Sequence, residues 1–173
     1  MNNSGNLVAN MERIKSKIAQ NNINLGKPLS LAAIEKFETQ HSIILPEDYR
    51  QFLLEISNGG DGPPEYRLKV LAETVTEEMQ PLQPFPLSNY WVWDDVDDVD
   101  EELFDSVYRC GHLYLGTEGC GIDWILIVNS AARGKVWQRS DEGIVPCTPA
   151  RSFISWYEYW LDGGENWFDG QEQ

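Results

Sequence analysis

Apolar residues recur at helical spacing through the first third of the chain. Leu7, Met11, Ile14 and Ile18 fall on one helix face. Asn21, Asn22 and then Gly26-Lys27-Pro28 end that helix. Ser30 has the short hydroxyl side chain that caps a helix start, and Ala33, Ile34 and Phe37 give the next helix an apolar stripe. Pro46 is tolerated in a first turn, where its missing N–H has no helical acceptor, and Glu47 and Asp48 favour the positive helix end. Tyr49, Phe52, Leu53 and Ile56 repeat at helical spacing, so a third helix is predicted from about Pro46 to Ser57. Asn58-Gly59-Gly60 supplies the left-handed residue that stops it.

The pattern then changes period. After the turn Asp61-Gly62-Pro63-Pro64, the residues Tyr66, Leu68 and Val70 alternate as in a half-buried strand. Pro81, Pro84 and Pro86 make residues 77–90 an irregular loop, followed by Trp91-Val92-Trp93 and an acidic run to Asp105. Strands are predicted from His112 to Leu115, from Ile122 to Val128, from Lys135 to Arg139 and at Ile144-Val145, with turns between them. Trp124 to Val128 is a nearly unbroken β-prone apolar run. Thr148-Pro149 reads as the start of a last helix, with Phe153, Ile154, Tyr157, Trp160 and Leu161 buried and Gly163-Gly164 as its stop. Short turns favour antiparallel neighbours, because a parallel crossover needs about a dozen residues. The predicted class is α+β, a mainly antiparallel sheet with N-terminal helices and a C-terminal helix packed on it. Asp123, close to a turn, is expected to bond backbone groups.

Length and composition fit one domain: residues 1–29 as a helical lead-in, 30–162 as the main body and 163–173 as a tail. Seven Trp, seven Tyr and six Phe are enough for a large core. Charge alters the picture more. With 28 acidic and 13 basic residues the net charge is −15, which repels phosphates and anionic membranes and attracts basic proteins or cations. Neither nucleic acid nor a membrane is therefore an expected partner. Solubility alone is the plainer reason for such charge. The N-terminus lacks a signal-like apolar region, and Cys110, Cys120 and Cys147 have no paired spacing, which fits a reducing cytoplasm.

Catalytic chemistry is poorly represented. His41 and His112 are the two histidines, and no G-x-S-x-G elbow occurs. Cys110 or Cys120 beside His112 could form a nucleophile pair, but a core cysteine next to a strand histidine is the simpler reading. Cys110, His112, Cys120 and Cys147 match no zinc-finger spacing, and Gly59-Gly60-Asp61-Gly62 follows a helix and lacks a phosphate-binding lysine. No enzyme activity, catalytic residue, metal or cofactor is expected. The acidic run, free of Lys and Arg up to Asp105, is the sharpest feature. It fails as an EF-hand because Val99 stands where the turn glycine belongs. A solvated loop would explain it. Tyr90, Trp91, Trp93 and Phe104 beside it also suit a protein interface. The candidate partner-binding residues are Asp94, Asp95, Asp97, Asp98, Asp100, Glu101, Glu102, Trp91 and Trp93.

Ile34-Glu35-Lys36-Phe37-Glu38, then Leu45-Pro46-Glu47-Asp48-Tyr49-Arg50-Gln51-Phe52-Leu53 and Asn58-Gly59-Gly60, resemble the opening signature of the SUKH superfamily. Gly121-Ile122-Asp123, Gly134-Lys135-Val136-Trp137 and the segment from Phe153 to Leu161 resemble its later strands and closing helix. That superfamily includes the yeast Smi/Knr cell-wall regulators and many bacterial immunity proteins. The resemblance, over residues 30 to 161, implies an α+β fold and a non-catalytic, protein-binding role, often toxin neutralisation. The stretch from Trp91 to Asp105 lies outside the motif. The expected function is a cytoplasmic immunity protein that blocks a cognate toxin, a basic nuclease being one class an acidic inhibitor would fit. A Smi/Knr-type scaffold or regulatory module without a toxin partner is the alternative, and an unrecognised hydrolase a distant third.

Overall fold

A computed structural model describes residues 3–94 and 96–168. Helix α1, Asn3–Gln20, buries Met11 and Ile14 completely, with Leu7 and Ile18 packed at their flanks. Ser30 caps α2, Leu31–His41, its hydroxyl accepting from the Ala33 N–H at 3.2 Å. Ile34 and Phe37 are the buried residues of α2. Ala33 is exposed, because this helix meets the core along a narrow face. Helix α3, Glu47–Glu55, buries Tyr49, Phe52 and Leu53; Pro46 is its N-cap and not a first-turn residue. The helix stops ahead of the glycine pair, with the Ile56 and Ser57 N–H groups both bonding the Phe52 carbonyl. Gly59 and Gly60 are left-handed, with φ of 81° and 114°, for a different reason. Their loop runs against residues 24–26, and a Cβ on Gly60 would sit 2.6 Å from the Asn24 carbonyl oxygen.

The sheet contains β1, Trp91–Val92; β2, His112–Gly119; β3, Ile122–Ile127; β4, Val136–Arg139; and β5, Gly143–Pro146. Their order is β1-β5-β4-β3-β2, and every neighbouring pair is antiparallel. The strand expected at Tyr66 to Val70 does not form. Arg67 is left-handed at φ 73°, Tyr66 is exposed, and Leu68 is the buried member of the three. Residues 66–74 instead lie along the outer edge of β2. The Tyr66 N–H bonds the Thr117 carbonyl, Lys69 N–H that of Leu115, and Tyr114 N–H that of Thr74.

Two elements went unread in the sequence: β1, and helix α4, Glu101–Arg109. Asp100 caps α4, its carboxylate accepting from the Leu103 N–H at 3.0 Å. Helix α5, Phe153–Leu161, is capped by Ser152, whereas Thr148 and Pro149 belong to the connection before it. Its buried residues are Phe153, Ile154, Trp156 and Tyr157, with Trp160 and Leu161 partly covered. The tail from residue 163 is described as far as Phe168, and residues 169–173 lie outside the described part.

Both faces of the sheet are covered, so alternate residues of a strand enter different cores. Trp124, Leu126, Val128 and Val136 pack with residues of α1, α2, α3 and α5. Ile125, Ile127, Trp137 and Ile144 pack with Phe85, Trp93 and Val107. This double burial is why Trp124 to Val128 reads as an unbroken apolar run even though the sheet is antiparallel. Ionic contacts fasten the helical layer: Glu158 on α5 accepts from Arg13 at 2.5 Å and Lys17 at 2.8 Å on α1. The Arg13 hydrogen bond, ahead of the Lys17 one, pulls the Glu158 carboxyl down to about 2.

Candidate partner-binding site

Strand β1 pairs Trp91 with Ile144 and Val92 with Gly143, which anchors the acidic segment at the sheet edge. Trp93 then turns inward. It is 7% exposed, its backbone N–H bonds the Glu142 carbonyl at 2.9 Å, and its indole N–H bonds that of Asp141 at 2.6 Å. Its ring packs on Phe104 at 5.1 Å and Tyr108 at 6.1 Å. Trp93 is therefore mainly a core residue, and what it offers a partner is the small part that lines the cleft beside α4. Trp91, half-buried, leans on it at 5.3 Å.

The acids sort into two roles. Asp100 is spent on the α4 cap. Glu101 and Glu102 occupy the first turn of α4, where the helix dipole favours negative charge. Asp94, Asp97, Asp98, Glu101 and Glu102 are exposed; Asp95 lies outside the described residues. Among the described residues, the one ion pair in this segment joins Asp105 to Arg109 at 3.5 Å. Arg13, Lys15, Lys17, Arg50, Arg67, Lys69 and Arg139 are engaged with acids elsewhere.

A cleft of about 440 Å³ opens between this segment and α4, lined by Trp93, Val99, Glu101, Phe104 and Asp105. Its floor is apolar and its rim is carboxylate. Tyr90, Val92 and Val96 are exposed on the same stretch of chain. Glu101 and Asp105 share a face because four residues make one helical turn. Val99, Phe104 and Asp105 line the cleft but are not among the candidate residues read from the sequence; recognising α4 would have placed Asp105 one turn beyond Glu101. The arrangement can accept a long side chain with an apolar stem and a cationic head.

The residues considered for catalysis are placed differently. His112 is buried, with Nδ1 2.8 Å from the Cys110 carbonyl oxygen. Burial, and then the Arg139 cation, pushes its ring down to about 4, so it is neutral near pH 7. Burial raises the Cys110 thiol and lifts that of Cys147 to about 12, while Cys120 is exposed. Among the described residues no group of three or more His, Cys, Asp or Glu is placed to hold a metal. Among the described residues the Asp123 carboxylate bonds no backbone group, contrary to expectation. It pairs with Arg139 at 2.9 Å, and that guanidinium stacks on Tyr108 at 4.1 Å.

A pH effect follows from His112. Between pH 6.5 and about 4 the unfolded chain takes up a proton that the folded chain refuses, so stability is lost as pH falls through that window. Urea midpoints are expected to show about 1–2 kcal/mol less stability at pH 5 than at pH 7 from this residue. His112→Gln should lose that component, and an equal loss in the variant would place the acid sensitivity elsewhere.

No helix among the described residues is long and apolar enough to cross a membrane. The model of the SMI1 / KNR4 family (SUKH-1) matches residues 28–160, a stretch that runs from just before α2 almost to the end of α5. No curated protein and no solved structure matches the chain. With the family model covering well over half of its length, and with an α+β architecture built on an antiparallel sheet, the chain belongs to the SMI1 / KNR4 (SUKH-1) family.

Proposed function

We propose that this chain is a non-catalytic protein-binding domain, an immunity protein that neutralises a cognate toxin through its acidic α4 face. Membership of the family fits a protein-binding or immunity-type role. The observation that carries the reading is the cleft over Trp93, Val99 and Phe104, rimmed by Glu101, which forms no ion pair among the described residues, and by Asp105, whose partner is the neighbouring Arg109, with the exposed Asp94, Asp97 and Asp98 on the adjoining segment. Unpaired like charges repel one another, and a basic partner relieves that cost while its approach is accelerated. The apolar floor then supplies area to bury, which charge alone does not. A basic nuclease fits well, because its phosphate-binding groove is the surface an acidic inhibitor would occupy. Three free thiols, one exposed, suit action in a reducing cytoplasm.

The test is co-expression with each toxin domain encoded beside this chain's gene. Protection of growth, with recovery of a stoichiometric complex, is the expected result. If no neighbouring toxin is neutralised but a non-toxic basic protein forms a stable complex, the chain is a Smi/Knr-type regulatory module.

A further inference from the structure

We propose that a second recess, built on the helical layer, holds an arginine side chain presented by a protein partner. The proposal rests on the protein-binding reading above but uses different residues. The recess has a volume of about 540 Å³, and Asp61, Glu65, Glu118, Glu165, Trp160 and Trp167 are among its lining residues. Its one cationic lining residue, Arg67, is already paired with Asp61 at 3.2 Å.

The walls are set in place before any ligand arrives. Asp61 also accepts from the Asn24 N–H at 2.8 Å, and its carbonyl takes the Tyr157 hydroxyl at 2.9 Å. Glu118 Oε1 accepts the indole N–H of the buried Trp124, while Oε2 meets no protein donor among the described residues. Trp167 is wedged against Trp124 at 5.2 Å and Tyr159 at 5.0 Å, and Trp160 against Tyr157 at 5.5 Å. Glu65 and Glu165 are exposed and form no ion pair among the described residues.

This chemistry selects its occupant. Carboxylates repel an anion. The acids are too dispersed for a metal, since no group of three or more potential ligands converges among the described residues. A guanidinium is planar and weakly hydrated, stacks on indole faces and donates to carboxylates at the same time; an ammonium is a hydrated point charge. The proline and isoleucine surfaces of Pro63, Pro64 and Ile23 can cover its methylene stem.

The experiment titrates the full chain with N-acetyl-arginine amide and follows the tryptophan indole N–H signals by NMR. Saturable shifts are expected at Trp160 and Trp167 in the millimolar range typical of a single weak contact. The neutral citrulline analogue should give none, and the lysine analogue weaker ones. Glu118→Gln with Glu165→Gln should weaken binding about tenfold, the loss of two charge-assisted contacts. The amide introduced by Glu118→Gln keeps an oxygen for the Trp124 N–H, so an unchanged melting curve checks the fold. Equal shifts with citrulline, wild-type affinity in the double variant, or shifts confined to Trp93 would each overturn the proposal. So would a captured protein partner that leaves the Trp160 and Trp167 signals unmoved. Failure to neutralise a toxin leaves the arginine titration as a separate readout.

Discussion

Trp124→Ala is expected to destabilise the protein by about 3–5 kcal/mol, the range for deleting a buried aromatic side chain. Trp124 is fully buried in β3 and touches Trp156 at 5.4 Å and Trp167 at 5.2 Å. Alanine leaves a cavity that this aromatic group cannot close without moving α5 and the segment after it. It also strips Glu118 of its indole donor. A domain has roughly 5–15 kcal/mol of stability in all, so a large part of it would go. Trp124→Phe separates the terms, because it keeps most of the ring and loses the N–H. Its expected cost is about 1–3 kcal/mol, the hydrogen bond plus a smaller void. Urea unfolding followed by circular dichroism measures both. An alanine variant with the wild-type midpoint would mean that Trp124 does not bear on the core as its burial requires.

Neutralising Asp94, Asp97, Asp98 and Glu101 together, to Asn and Gln, is expected to slow association with the proposed basic partner by at least about tenfold at low salt. All four are exposed, and none has an ion-pair partner among the described residues, so their field is felt mainly by what approaches. Fold stability should move little, because exposed substitutions usually change it by under about 0.5 kcal/mol each. Asp100 is excluded from the set, since its carboxylate caps α4 and its loss would confuse unfolding with binding. Association rates measured against ionic strength decide the matter. The wild type should slow steeply with salt and the variant should not. Equal rates with equal salt slopes would reduce the segment to solvated surface and send the search to another face.

What was legible in the sequence followed from periodicity. Helices α1 to α3 and α5 stand out by helical period and β4 by alternation, while β3 stands out as an unbroken β-prone run and β2 and β5 as short apolar stretches between turns. Helix α4 did not, because Leu103, Phe104, Val107 and Tyr108 are embedded among acids that read as a loop. Recognising Asp100 as a cap would have exposed it. Strand β1 is two residues long, too short for any period. Tyr66, Leu68 and Val70 alternate correctly, yet the left-handed Arg67 between them prevents a regular ladder. At the candidate site, the exposure of the acids was predictable, since unpaired charge is costly to bury. The burial of Trp93 was not, because it depends on α4 closing over it. The recess was invisible for a simpler reason: Asp61, Glu118 and the segment carrying Trp160 and Trp167 are far apart in sequence and meet only in the fold.

The segment 66–74 that lies along β2 has a wider effect. Exposed strand edges are templates: another chain can add a strand there, and aggregates begin the same way. Backbone bonds from Tyr66, to Thr74 and from Lys69 occupy that edge, and the opposite margin of the sheet is the two-residue β1. Recognition by strand addition has little backbone to work with, so specificity rests on exposed side chains. Such side chains can be exchanged one at a time without rebuilding the sheet, which leaves one scaffold free to track partners whose own surfaces change.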